Sequence, residues 1–165
     1  MSYVITHRIS LPPQAATVKM HVRYANREVP GSPFTVEVHP GPLSRQHSRI
    51  HGRCVNARWA TRVPATIAVY ACDRFGNRIR HGGDGIAVFA EHVSTDPRNA
   101  GAGGGKPELR ALGEVVDNGD GTYAAELDLK ETGHYLVAVQ TKGRDKGHLE
   151  GSPFHVMVMA GEVGE

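Results

Sequence analysis

Two aspartates, an asparagine and two glycines crowd into the start of DNGDGTYAAEL, Asp117 to Leu127. Oxygen ligands so closely spaced are the raw material of a calcium loop. An EF-hand loop needs ligands at its first, third and fifth positions, glycine at the sixth and a bidentate glutamate at the twelfth. With Gly121 as the sixth residue, Asn118 and Asp120 fall correctly, but the first position is Val116 and the twelfth Leu127. Counting from Asp117 puts glycines at the third and fifth positions instead. Neither register binds a hard cation. The glycine-rich AGAGGGKP, Ala100 to Pro107, fails a phosphate-loop test in the same way. That loop needs glycine where Ala100 stands and a magnesium-binding hydroxyl where Pro107 stands. Ten histidines are present, yet no pair has a cysteine or acidic companion at zinc spacing. No Ser-His-Asp or Cys-His set has a recognisable local context, and no paired-carboxylate motif occurs. The residues therefore predict no catalysis, no metal and no cofactor.

Two features point to docking. From Val38 to Cys72 there is no Asp or Glu, and Arg45, His47, Arg49, His51 and Arg53 occupy alternate positions within that stretch. On one strand all five would project to a single face, followed by Arg58 and Arg62, and would attract an acidic partner (a carboxylate-rich tail, an anionic lipid surface or a phosphate backbone); the alternative is a merely solvated strand face. No aromatic residues interleave with these arginines, so nucleic acid is not expected. The second feature lies on the strand expected over Gly85–Val93. If Ile86, Val88 and Ala90 face inward, Ala87, Phe89 and Glu91 face out. An exposed Phe beside an open strand edge invites a covering partner strand. Ala111, Gly113 and Val115 on the next strand would border that groove, small enough to admit side chains. The alternative cover is the Ser94–Lys106 loop or a neighbouring repeat.

Positioning these residues takes β-strands. Asn-Gly and Asp-Gly tolerate positive φ and suit a hairpin turn. Tyr123, Ala125, Leu127 and Leu129 follow the turn with period 2, and Leu112, Glu114 and Val116 precede it. Further strands are expected over Ser48–Val55, Pro64–Asp73, Gly85–Val93, Leu109–Val116, His134–Thr141 and Phe154–Met159, making seven with Tyr123–Leu129. Cys54 and Cys72 fall on opposite phases of their strands and are expected as free thiols. An internal echo adds a second level. VPGSPFTVEVHPG from Val29 returns as LEGSPFHVMVMAG from Leu149, each preceded by an alternating strand: Val18, Met20, Val22, Tyr24 in one copy and Tyr135, Val137, Val139 in the other. Tyr3, Ile5, His7 and Ile9 extend the first copy upstream. Residues 1–40 thus read as the last three strands of a unit whose complete version follows. A modular array is implied, either cut from a longer chain or completed by a partner.

Seven short alternating strands predict an all-β, immunoglobulin-like antiparallel sandwich. DNGDGTYAAELDLKETGHYLVAVQTKG followed by GSPFHVMV, with DRFGN at Asp73–Asn77, resembles the filamin-type repeat. The resemblance covers 43–160 as a complete repeat and 1–40 as the C-terminal strands of a partial one. Ala125, Leu127 and Glu150 depart from the family pattern, and the Ser94–Lys106 loop is longer than usual. The resemblance implies a non-catalytic spacer and scaffold that docks cytoskeletal or signalling proteins, often by strand addition at the edge of the third and fourth strands, with neighbouring repeats of the same chain beside it. It implies a cytoplasmic or cytoskeletal setting, with the cilium or flagellum as a further one. Alternatives are an extracellular adhesion module and a regulatory repeat of a ubiquitin ligase.

Composition agrees. Of 165 residues, 39% are hydrophobic, enough for a core, while 20 Gly and 10 Pro favour turns over long helices. No apolar run is long enough for a membrane helix, and MSYVITHRISLPP lacks a signal-peptide apolar core. Two cysteines are too few for a disulfide framework, which points to a reducing setting. A net charge of +2 favours no partner class.

Overall fold

The alternating segments form two packed antiparallel sheets. A computed structural model describes residues 16–55, 57–61, 63–93 and 108–161; Tyr3, Ile5, His7, Ile9, Arg62 and the Ser94–Lys106 loop lie outside the described residues. One sheet has the order β10 (Glu114–Asp117), β11 (Thr122–Leu127), β7 (Ala65–Tyr70) and β5 (Arg49–His51). The other runs β6 (Arg58–Ala60), β14 (Phe154–Met159), β12 (Gly133–Thr141), β8 (Ile86–Val93) and β9 (Glu108–Leu112), with β13 (Gly147–His148) beside β12. Every pairing is antiparallel except β6 with β14.

Between the sheets lie the residues whose period-2 spacing predicted it. Ile67 and Val69, Val88 and Ala90, Tyr123, Ala125 and Leu127, Tyr135 to Val139 in alternation, and Phe154, Val156 and Val158 form one buried cluster. Ile67, Val88 and Phe154 are each 2% exposed and Leu127 is fully buried, so this interior is dry. Two buried tyrosines keep their polar tips satisfied. The Tyr135 hydroxyl donates to the Glu131 carbonyl at 3.0 Å. The Tyr123 hydroxyl accepts the Asp84 N–H at 3.0 Å and donates to its carboxylate. Burial, with Asp84 and Asp117 nearby, pushes the Tyr123 phenol up to about 12.

The DNGDG carboxylates serve a turn. Asp117 accepts the Gly119 N–H at 2.8 Å and the Gly83 N–H at 2.7 Å, and Asp120 accepts the Thr122 N–H at 2.9 Å. The carboxylates are spent on backbone donors of a β10–β11 turn, with Gly119 and Gly121 at φ of 76° and 80°. A Cβ at Gly121 would run into the Ile79 carbonyl, so glycine is required there. The DRFGN turn is built around Asp73, 2% exposed. Its carboxylate accepts four bonds of 2.9–3.0 Å, from the N–H groups of Phe75, Asn77 and Gly41 and from the Asn77 side chain. Burial opposes the charge, but these donors outweigh it and hold the carboxyl below its ordinary range.

Three expectations need correcting. The fourth strand, expected as one run from Leu109 to Val116, divides at Gly113: β9 belongs to one sheet and β10 to the other. The Gly113 N–H donates to the Val88 carbonyl at 2.8 Å, and a Cβ there would lie 3.0 Å from the Val88 Cβ. The close approach of the two backbones lets the chain cross between sheets. The first strand, expected over Ser48–Val55, shrinks to Arg49–His51: Ser48 closes a turn with its N–H on the Ser44 carbonyl at 3.0 Å, and the chain turns again after Gly52, whose carbonyl accepts the Val55 N–H at 3.2 Å. The parallel strand β6 was not foreseen. Cys54 and Cys72 are both free and buried. Cys72, whose phase in the expected Pro64–Asp73 strand is opposite to that of the buried Ile67, Val69 and Ala71, lies beyond the end of β7 and is covered there. Burial pushes both thiols up, which makes them poor nucleophiles.

Ahead of this sandwich, β1 (Ala16–Met20) pairs with β4 (Phe34–Val38), and β2 (Arg23–Tyr24) with β3 (Arg27–Glu28) across a two-residue turn at Ala25 and Asn26, both at positive φ.

Candidate partner-docking surfaces

Phe89 is outward on β8, as its phase predicted, but the edge beside it is not open. Over Phe89–His92 the edge is paired with β9, with Phe89 opposite Leu112 and Ala90 opposite Ala111, and the register shifts between Ala90 and Glu91. The expected groove is therefore corrected in two respects. Its edge is already taken by the chain's own strand. Its two sides also do not meet. Ala87, Phe89 and Glu91 lie on the outer face of their sheet, half-buried, whereas Ala111 and Val115 pack against the core and Gly113 sits at the crossing. A slip of one residue decides this: because β9 ends at Leu112, it is Leu112 and not Ala111 that joins Phe89 outside.

The arrangement that replaces it is an apolar row across the sheet. Leu112 is opposite Phe89 on β9, and Ala138 is opposite Phe89 on β12. Ala138 is 4% exposed although it faces outward, whereas Leu112 is 74% exposed. No described strand pairs with the other side of β9. A hollow of about 300 Å³ opens next to it between Ala111–Leu112 and Asp128–Glu131, with Tyr135 at its base. An edge whose backbone groups have no partner strand among the described residues, an exposed leucine and an adjacent hollow is chemically suited to an extended peptide.

The basic stripe survives only in part. Arg45 and His47 belong to the Ser44–Ser48 turn and not to a strand. Arg45 is spoken for: its backbone N–H and its Nε each donate to the Asp145 carboxylate at 2.9 Å. Those bonds, against a smaller opposing effect of burial, lower the Asp145 carboxyl. His47 Nδ1 lies 3.2 Å from the Ser44 hydroxyl. Arg49 and His51 do alternate on β5, both exposed, and Arg53 follows in an exposed turn. His51 meets the Tyr70 ring edge-on at 5.1 Å, and Arg78 lies over the same ring at 4.9 Å. His51 and Arg53 border a second hollow, of about 710 Å³, on the outer face of the four-stranded sheet. Small side chains make its floor, since Ala68 is opposite Ala124 in the register. His51 and Arg53 line one rim, and Glu114 and Glu126, directly opposite each other, line the other.

One pairing was missed by sequence reasoning. His148 Nδ1 lies 3.1 Å from the Ser152 hydroxyl. The same hydroxyl accepts the Val139 N–H at 2.8 Å, and Ser32 accepts the Val22 N–H at 2.9 Å in the first copy of the GSPF motif. The serine clips a turn in both copies, so the contact carries no nucleophile. Among the described residues no cluster of three or more His, Cys, Asp or Glu could hold a metal. No helix among them is long and apolar enough to cross a membrane.

A family model described as the Filamin/ABP280 repeat matches residues 42–155. The chain belongs to the filamin repeat family. Among curated relatives, E3 ubiquitin-protein ligase TRIM45 of Bos taurus is 32% identical over 131 residues, covering 79% of this chain and 19% of the ligase. Filamin-C of Rattus norvegicus is 28% identical over 152 residues, covering 92% of this chain and 5% of that protein. The chain thus spans about a fifth of the ligase and about a twentieth of Filamin-C. Its fold is shared with the Lin-41 filamin domain, at a TM-score of 0.54 and 14% identity over 73% of this chain and 100% of that one. It is shared also with invasin, a bacterial integrin-binding protein, at a TM-score of 0.52 and 19% identity over 84% of this chain and 24% of that one.

Proposed function

We propose that this filamin repeat is a non-catalytic docking module of a cytoskeletal scaffold, and that it takes an extended segment of a partner protein along β9. The observation that carries this reading is the exposed Leu112, aligned with Phe89 on an edge whose outer backbone groups have no described partner strand. Added main-chain hydrogen bonds would supply affinity, and apolar side chains on Leu112, Phe89 and the adjacent hollow would supply selectivity. The β8 positions Ala87 and Glu91 flank that contact. The half-buried Ala111, Gly113 and Val115 act by holding the crossing from β9 to β10 in place. Arg49, His51 and Arg53 form a separate attraction for an acidic segment, on the other sheet. The Filamin-C relatives support a cytoplasmic, cytoskeletal setting.

Selection of peptides from a random display library on the immobilised chain tests this. Peptides that add to β9 should lose binding with Leu112→Asp and keep it with Arg49→Glu/Arg53→Glu. Selected peptides that ignore Leu112→Asp would overturn the reading.

A second reading places the repeat as the partner-recognition arm of a ubiquitin ligase, favoured by the TRIM45 relatives. A zinc-binding ligase domain upstream in the parent polypeptide would decide for it. The adhesion alternative rests on fold likeness alone, through invasin.

A further inference from the structure

The β1–β4 hairpin is a structural copy of the β12–β14 hairpin, matched pair for pair. Met20 is opposite Phe34 as Val137 is opposite Phe154; Val18 is opposite Val36 as Tyr135 is opposite Val156; Ala16 is opposite Val38 as Gly133 is opposite Val158. The short ladder beyond repeats too, Arg23 with Glu28 and Tyr24 with Arg27 matching Gln140 with His148 and Thr141 with Gly147. Ser32 and Ser152 clip the same turn, onto Val22 and Val139. The Val29 N–H bonds to the Val22 carbonyl as the Leu149 N–H bonds to the Val139 carbonyl. Only the tip differs, two residues at Ala25–Asn26 against five at 142–146.

The environments of the two copies differ sharply. Phe154 is 2% exposed and Phe34 is 40% exposed; Thr141 is 3% exposed and its counterpart Tyr24 is 79% exposed. Val18, Met20, Val36 and Val38 are only half-buried. In the complete copy the difference is made by β8, which lies antiparallel along β12 with Val88 opposite Val139 and Ala90 opposite Val137. Along β1 no second strand is described.

We propose that residues 16–38 are the closing hairpin of a second immunoglobulin-like unit, whose β1–β2 edge accepts an antiparallel strand of the β8 kind, extended and apolar at alternate positions. The molecule itself supplies the template for that occupant. Transferred to β1, the β12–β8 register sets the β8 residues Ala90, Val88 and Ile86 opposite Met20, Val22 and Tyr24. It also sets Glu91, which faces Leu136 on β12, opposite Lys19, so the outward charges are complementary. This inference is independent of docking at β9.

A fluorescent peptide with the sequence IAVFAEHV, that of β8, tests it on the 165-residue chain. Saturable binding is expected, with slowed amide exchange in β1 and β2. Met20→Asp should weaken it at least about tenfold, since an apolar contact is replaced by a buried charge. Tyr24→Ser, at a side chain already largely in water, should weaken it several-fold without endangering the hairpin. Absence of saturable binding, protection confined to β12, or indifference to both substitutions overturns the proposal. So does a dimer that Met20→Asp dissolves, which would make a second copy the occupant.

Discussion

Replacing Leu112 by alanine isolates the docking claim from the stability of the fold. Leu112 is 74% exposed, so truncating it removes little native packing and should cost the fold less than about 0.5 kcal/mol. Burying a leucine completely is worth about 1.5–3 kcal/mol. About three quarters of this one remains to be covered, so a partner strand closing over it gains about 1–2 kcal/mol. The truncated variant should therefore bind a β9-adding peptide about 5- to 30-fold more weakly, with its unfolding midpoint almost unchanged. Fluorescence anisotropy with a selected peptide measures the first quantity, and urea denaturation the second. Affinity preserved within about twofold would refute the reasoning, because a side chain that stays wet in the complex cannot be an anchor. A large fall in stability would equally refute the geometry, since it would mean that Leu112 is packed in the free protein.

Further outcomes follow from the turns. Asp73→Ala should destabilise the repeat by about 2–4 kcal/mol in urea denaturation, because it leaves the Gly41, Phe75 and Asn77 donors without their acceptor. Since the folded Asp73 carboxyl is held below its ordinary 3.8, its contribution is fully present above that pH and is lost as pH falls through the lower folded value. Asp73→Asn should flatten that acid-side loss. Gly121→Ala should cost about 2 kcal/mol or more, combining positive φ with the Ile79 carbonyl in the way, whereas Gly119→Ala, at similar φ but facing open space, should cost about 1 kcal/mol. Comparing the two unfolding midpoints checks the difference.

The sandwich was legible wherever a strand had one wet and one dry face. Over Ile67–Val69, Tyr123–Leu127 and Phe154–Val158 the alternation in sequence is the alternation in burial. Sites depended on subtler facts. The basic stripe looked like one strand because Arg45 to Arg53 alternate, but alternation of charge says nothing about backbone, and the Ser44 carbonyl draws the chain into a turn. The division at Gly113 came from a close backbone approach that only a partner strand reveals. β6 is three residues long, too short to show a period, and it forms because β14 offers it a free edge. The DNGDG and DRFGN turns were read correctly as turns, since glycine at positive φ and side-chain carboxylates near backbone donors are local properties.

Amide hydrogen exchange of the whole chain with a selected peptide bound is the most direct measurement of the docking claim. New protection should appear in β9 around Leu112, with Phe89 perturbed and the face of Ala68 and Ala124 unchanged. Protection that instead spreads over β5 and β7, leaving β9 exchanging as in the free protein, would contradict the account.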